Sequence, residues 1–269
     1  MSWLRETLGV PSKRLLAERA RATLTRPHPA PLFLFGNQKS GGTAIAGLLS
    51  AATGLRAALD LEGTTAPRFA RLVRGKTTLE DFVTKNAWSF SAPIVKDGNL
   101  TFVAEPLMAH FGVARAIFIL RNPCDNIRSI LDRLKLPGDL AHLDVATIRA
   151  NATWRGILSG GDLDFSPDHY VSILARRWRQ AAEICEAGGD AFVRVRYEDF
   201  LADKRGEIER LGRAFDLETP NDIGALLERD YQRRGNPAVA LRKFFGEENS
   251  RRIADICGEA AGRLGYVLH

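Results

Sequence analysis

Residues 31–44, Pro-Leu-Phe-Leu-Phe-Gly-Asn-Gln-Lys-Ser-Gly-Gly-Thr-Ala, constrain this chain more than any other segment. Leu32 to Phe35 is apolar enough for a strand buried on both faces. Gly36, Gly41 and Gly42 then permit a tight bend. Ile45, Leu48 and Leu49 follow on one side of a helix that ends near Gly54. A strand–bend–helix of this kind aims several backbone N–H groups at one spot, and the helix adds the positive end of its dipole. Lys39 contributes a full charge, and Ser40 and Thr43 contribute hydroxyls. The pattern reads as a phosphate cradle.

The spacing narrows the kind of cradle. The nucleotide-triphosphatase loop places lysine directly after its last glycine, with a magnesium-binding hydroxyl behind it. Gly36 and Gly41 have the right interval, but Gly42 stands where that lysine belongs, and Lys39 comes earlier. The dinucleotide pattern G-x-G-x-x-G also fails, because Gly41 and Gly42 are adjacent. A bend that uses glycine for geometry alone is the competing reading.

A second segment repeats the grammar. Ala116 to Leu120 is a short apolar run suited to a buried strand. Arg121 stands at its carboxyl end, Pro123 fits the first turn of a helix, and Ser129 lies on that helix. An arginine at a strand tip can hold a phosphate through two parallel hydrogen bonds. The alternative is a surface salt bridge between Arg121 and Asp125. Two anion sites at the ends of parallel strands suit a ligand with phosphates at both ends.

With these residues in place, the chain resembles the sulfotransferases that use 3′-phosphoadenosine 5′-phosphosulfate (PAPS). Lys39-Ser-Gly-Gly-Thr43 is similar to the family's 5′-phosphosulfate loop, with Gly42 in place of a threonine. Arg121-Asn-Pro-Cys-Asp125 with Ser129 is similar to its 3′-phosphate motif. Tyr197-Glu-Asp199, after the run Val193 to Arg196, matches a third family feature whose tyrosine meets the adenine. The resemblance implies a three-layer, P-loop-like α/β fold with a central parallel sheet flanked by helices. It implies a cofactor site made of Lys39, Ser40, Gly41, Gly42, Thr43, Ala44, Arg121, Ser129 and Tyr197. Arg242 and Lys243 are the nearest candidates for basic residues that return over the 3′-phosphate. The family tryptophan that stacks on adenine is replaced by Ala44, which leaves Phe102 or Tyr197 for stacking.

Sulfuryl transfer needs both partners positioned, the leaving bisphosphate neutralised and the acceptor's proton removed. Lys39 is the expected leaving-group stabiliser, and Lys96 matches a family lysine that can touch the transferring group. No metal is expected. The small-molecule branch of the family carries its base histidine in a Lys-Thr-His run; here Lys96-Asp-Gly98 puts glycine in that place. In the glycan-modifying branch a glutamate follows the loop lysine, and Glu62 stands at the matching distance. Glu62 ranks first as base, then Asp97, then Asp60, each open to a purely solvated role. A carboxylate serves when partial burial raises its pKa.

Composition sets bounds on partners. A chain of 269 residues suits one α/β domain, here expected over 1–269. The net charge of +6 is spread along the chain, with no aromatic-interleaved basic run, so an anionic cofactor explains it more simply than nucleic acid. Cys124, Cys185 and Cys257 match no metal spacing, and the odd count suits a reducing, cytoplasmic setting. Neither a membrane span nor a signal peptide is expected. Residues 1–26, with Lys13, Arg14, Arg19, Arg21 and Arg26, read as a basic helical leader.

Further along, strands are expected near Arg56–Leu59, Pro93–Val95 and Ala191–Val195. Residues 63–92 are expected to cover the site, and 131–161 to form helices and loops over the acceptor. Val171, Leu174, Trp178, Ala181 and Cys185 form a helical stripe, and helices are expected over Glu198–Phe215 and Glu247–Leu264. The expected activity is sulfuryl transfer to a hydroxyl or amine of a small-molecule, glycan, lipid or peptide-derived acceptor. A nucleotide-binding protein of the same fold without catalysis, and an atypical P-loop kinase, are the alternatives. Oligomeric state is not legible.

Overall fold

A computed structural model describes residues 16–17, 20–21, 23–229 and 240–268. Lys13, Arg14 and Arg19 of the basic leader lie outside the described residues. Strands β1 (Leu32–Phe35), β2 (Ala57–Leu59), β3 (Ile94–Lys96), β4 (Ala116–Leu120) and β5 (Phe192–Arg196) form one parallel sheet in the order β2-β3-β1-β4-β5. The helices are α1 (Gly42–Thr53), α2 (Arg68–Val73), α3 (Leu79–Lys85), α4 (Ala87–Phe90), α5 (Ala104–Phe111), α6 (Pro123–Leu134), α7 (Ala152–Ser159), α8 (Tyr170–Ala187), α9 (Tyr197–Ala202), α10 (Lys204–Ala214) and α11 (Leu241–Arg263).

The alternation of side chains along each strand builds two cores. Phe33, Phe35, Phe118 and Leu120 face one layer, with Ile127, Leu174 and Cys257 from α6, α8 and α11. Leu34, Ile117, Ile119 and Val195 face the other, against Ile45, Leu48 and Leu49 of α1 and Ile208 and Leu211 of α10. A sheet covered on both sides must have strands that are apolar throughout, and every residue of β4 is buried.

The strand order places the switch point at β1. The chain leaves β1 toward β2 and β3 on one side, then crosses to β4 and β5 on the other. Ligands of open α/β sheets bind at the carboxyl ends of the strands flanking such a point. The Lys39 loop and Arg121 leave the sheet there.

Several expectations needed adjustment. The helix expected over Glu198–Phe215 is two helices, because Asp203 ends α9 and its side chain accepts from the Gly206 N–H at 2.8 Å to start α10. The last helix begins earlier than Glu247 and bends at Gly246, where φ is 67°. Residues 63–92 supply Phe69, Phe82 and Phe90 to the core, and none of them lines the cleft described below.

Candidate active site

Gly36 opens the loop after β1 because no side chain fits there: a Cβ would lie 2.4 Å from the Ile119 carbonyl oxygen, and φ is 137°. Its N–H donates to the Thr101 hydroxyl at 2.8 Å. Lys39 holds a φ of 66°, which turns the chain so that Ser40 points inward and Gly41 closes the bend. The buried Asn126 amide of α6 donates to the Gln38 carbonyl at 2.8 Å and the Ser40 hydroxyl at 3.0 Å, tying the loop to the helix after β4. Helix α1 starts from Gly41 with no acidic residue in its first turn, so nothing on that turn offsets its positive end.

The second motif meets the first directly. Arg121 donates to the Lys39 carbonyl at 2.8 Å, and its guanidinium lies 4.6 Å from the centre of the Tyr197 ring. Asp125 is not its partner; that carboxylate pairs with Arg128 at 2.7 Å. Tyr197 fills the space beside Gly41, where a Cβ would come within 2.2 Å of the ring. Burial lowers the Arg121 pKa from its ordinary value.

One cleft of about 230 Å³ collects these groups. Lys39, Ser40, Gly41, Gly42, Thr43 and Ala44 line it from β1 and α1, Arg121 and Ser129 from β4 and α6, and Tyr197 from α9. Lys96 completes the floor, donating to the Thr43 hydroxyl at 3.0 Å and to Asp60 at 2.7 Å. Desolvation, reinforced by Arg133, Arg121 and Lys96, lowers the Lys39 pKa to about 8. Leu48, Ile119, Phe200 and Leu201 give the cleft an apolar end.

The expected carboxylates part company. Asp97 is 4% exposed and faces inward. Its oxygens accept from the N–H groups of Leu61 and Asn99 at 2.8 and 2.7 Å and from the Thr64 hydroxyl at 2.6 Å. Burial raises its pKa, yet it does not line the cleft and its geometry is that of a brace. Glu62 stands half-buried in the one-turn helix Glu62–Thr64 that Asp97 holds, outside the cleft lining. Asp60 is the acid paired with Lys96. Gly98, in the histidine's place, packs on Gln38, and a Cβ there would sit 3.0 Å from the Gln38 carboxamide carbon.

Arg242 and Lys243 are exposed near the start of α11 and do not line the cleft; neighbouring Phe244 packs on Gly138 instead. Phe102 does not line it either, since its ring lies 4.4 Å from the Arg177 guanidinium. Four charged lining residues went unread in the sequence: Arg128, Asp132, Lys204 and Arg229. Arg128 and Asp132 flank Ser129 at helical spacing, a signal that was present. Lys204 reaches the cleft by donating to the Leu227 carbonyl and pairing with Glu228, which no local pattern announces.

The tip of β4 is also wired to the segment that follows α11. Glu198 accepts from the Asn122 N–H at 2.9 Å and the Tyr266 hydroxyl at 3.2 Å. Asn122 donates to the Val267 carbonyl at 3.2 Å, and the Trp178 indole donates to the Arg121 carbonyl at 2.9 Å. Trp178 is core, as its place in the helical stripe implied.

Comparison with known proteins decides the family: residues 66–221 match the model described as the sulfotransferase family. The chain belongs to the sulfotransferase family. The match begins beyond the Lys39 loop, so that loop stands on its own geometry. No curated protein matches the chain. Among solved structures, the sulfotransferase from Alicyclobacillus acidocaldarius is 15% identical, with 88% of this chain and 97% of that one covered and a TM-score of 0.51. Sulfotransferase STF9 from Mycobacterium avium is 14% identical, with 94% and 81% covered and a TM-score of 0.51. Mouse sulfotransferase SULT7A1 complexed with PAP is 13% identical, with 94% and 90% covered and a TM-score of 0.50. At these identities the likeness is one of fold. This sulfotransferase has the expected parallel sheet between helical layers, and no helix among its described residues is long and apolar enough to cross a membrane.

Proposed function

We propose that this sulfotransferase moves a sulfuryl group from PAPS to a hydroxyl or amine of a small-molecule, glycan, lipid or peptide-derived acceptor. The observation that carries the reading is the contact between Arg121 and the Lys39 carbonyl inside one cleft. It joins a lysine-bearing loop and an arginine-tipped strand in one cleft whose lining offers donors to phosphate and includes apolar side chains. That donor set fits a nucleoside with two phosphate groups. Ser40, Thr43 and the start of α1 hold the 5′ end, Arg121, Arg128 and Ser129 hold the 3′ end, and Tyr197 lies against the adenine.

In the reaction the acceptor oxygen or nitrogen bonds to sulfur, the bond from sulfur to the 5′-phosphate oxygen breaks, and the acceptor proton leaves to a base. Lys39 is placed in the loop where charge develops on the departing oxygen. Lys96 reinforces it from the floor, held by Thr43 and Asp60. Glu62, which lies outside the cleft lining, is the base of this reading on its spacing from Lys39 alone. Asp97 sets its turn, and Asp60 is already committed to Lys96.

Binding and turnover test the reading separately. PAP binds tightly without magnesium, and labelled sulfate passes from PAPS into acceptors of a cell extract. Tight PAP binding with no transfer into any extract would leave a nucleotide-binding protein without catalysis. Preference for ATP with magnesium over PAP would return the kinase alternative.

A further inference from the structure

We propose that Arg177 is a positioning residue for the transfer, one buried guanidinium that sets both the phosphate loop and the turn carrying Glu62. The inference rests on the donor and base assignments above.

Arg177 is on α8, 1% exposed, and it does not line the cleft. Its fork spans four side chains on three other segments. One terminal nitrogen pairs with Asp162 at 2.6 Å, and the other donates to the Asn99 side-chain Oδ1 at 2.7 Å. Nε donates to Asn37 at 3.2 Å and to Gln38 at 3.0 Å. The Phe102 ring, 4.4 Å away, lies against the guanidinium and restricts its plane.

Two branches leave this node. Through Asn37, which donates to Asn126 at 2.9 Å, it reaches the amide that holds the Gln38 carbonyl and the Ser40 hydroxyl. Through Asn99 it reaches the base turn: the Asn99 amide donates to the Thr64 carbonyl at 2.8 Å, and its N–H donates to Asp97. Asp97 in turn takes the Leu61 N–H and the Thr64 hydroxyl, the residues on either side of Glu62 and Gly63. The branches also join, since the Gln38 amide donates to the same Asn99 Oδ1 at 2.5 Å.

Stability alone does not account for this arrangement. Replacing a buried ion pair by apolar side chains is often neutral or stabilising. Here the pair is incompletely satisfied, because the second oxygen of Asp162 is buried without a hydrogen-bond partner among the described residues. What the planar fork supplies is geometry: fixed directions toward acceptors on separate segments, which a lysine ammonium cannot reproduce. The cradle and the base turn must keep a constant separation across the reacting group, and both hang from Arg177.

The test starts with wild-type protein and PAP. If wild-type protein fails to bind PAP, the donor assignment fails whatever Arg177 does. In Arg177→Lys, which keeps a charge beside Asp162, we expect a folded protein whose PAP affinity falls about tenfold and whose transfer rate at saturating donor falls about 100-fold. Single-branch variants split these effects. Gln38→Ala weakens PAP binding, while Thr64→Val lowers the transfer rate and leaves PAP affinity unchanged. A folded Arg177→Lys with wild-type affinity and rate overturns the proposal, as does a lower melting temperature with unaltered kinetics. If Arg177→Lys does not fold, Gln38→Ala with wild-type PAP affinity overturns it.

Discussion

Arg121 donates to the carbonyl of Lys39 at 2.8 Å while its guanidinium stacks 4.6 Å from the Tyr197 ring, so all three sequence motifs meet at one side chain. In the proposed donor site Arg121 would therefore hold a phosphate as well as the loop beside it. Its loss removes a bidentate donor and also frees the Lys39 peptide.

For Arg121→Ala we expect the largest loss of PAP affinity among single cleft variants, about 100-fold or about 2.7 kcal/mol. Isothermal titration without magnesium measures it. Wild-type affinity in this variant would remove the strand-tip arginine from the donor site.

Lys39→Met addresses the leaving group. Transfer of labelled sulfate from PAPS falls by about 100- to 1000-fold, as when one preorganised donor is lost from an oxyanion site. PAP binding weakens far less, because Arg121 and the start of α1 remain. Equal losses in binding and rate would mean that Lys39 grips the ground state alone.

Lys39 also predicts a pH dependence. Its pKa of about 8 lies below the ordinary 10.5, so PAP affinity declines as pH rises through 8 and the ammonium is lost. Between about 8 and 10.5 the unfolded chain holds more protons at this residue than the folded one. The Lys39 contribution to stability of the apoprotein therefore rises with pH across that window. Comparison of wild type and Lys39→Met by urea unfolding at pH 7 and pH 10 isolates it; a stability difference between them that does not change with pH would contradict the assignment.

The adjacent glycines separate cleanly. Gly41→Ala forces a side chain into the Tyr197 ring at a φ of 96°, and a loss of about 1–3 kcal/mol with weak PAP binding follows. A Cβ at Gly42 comes within 2.8 Å of the Lys96 side chain and makes ordinary contact with Ile119 at 3.5 Å, with no backbone in the way, and Gly42→Ala retains the fold with a smaller change. Thermal melts with and without PAP rank the two.

Glu62→Gln is expected to lower the transfer rate by about 100- to 10,000-fold with PAP affinity unchanged. Retained turnover would shift the base to Asp60, which already touches Lys96 beside the cradle. Asp97→Asn instead destabilises the fold by about 1–3 kcal/mol, because its amide cannot accept all three of the present hydrogen bonds.

The strands and the bend after β1 were legible because their signals are local. Ala116–Leu120 is apolar throughout since both faces are covered, and Lys39 and Arg121 follow strands whose ends the glycines and Pro123 mark. The carboxylates were not legible, because Asp97 is set apart from Glu62 by burial and by bonds to Leu61 and Thr64, remote in sequence from Asp97. Arg242 and Lys243 misled because a basic pair says nothing of helical phase, and Phe245 takes the inward position. Lys204 was hidden because its contact with Leu227 depends on how the segment after α10 folds back.

The clasp of Tyr266 and Val267 on Glu198 and Asn122 carries a practical consequence for anyone handling this enzyme. A purification handle fused after His269 would lie within a few residues of these anchors, and clipping the chain after Leu264 removes two anchors of the Arg121 strand tip at once. Intact-mass checks on the carboxyl end therefore belong beside every PAP titration.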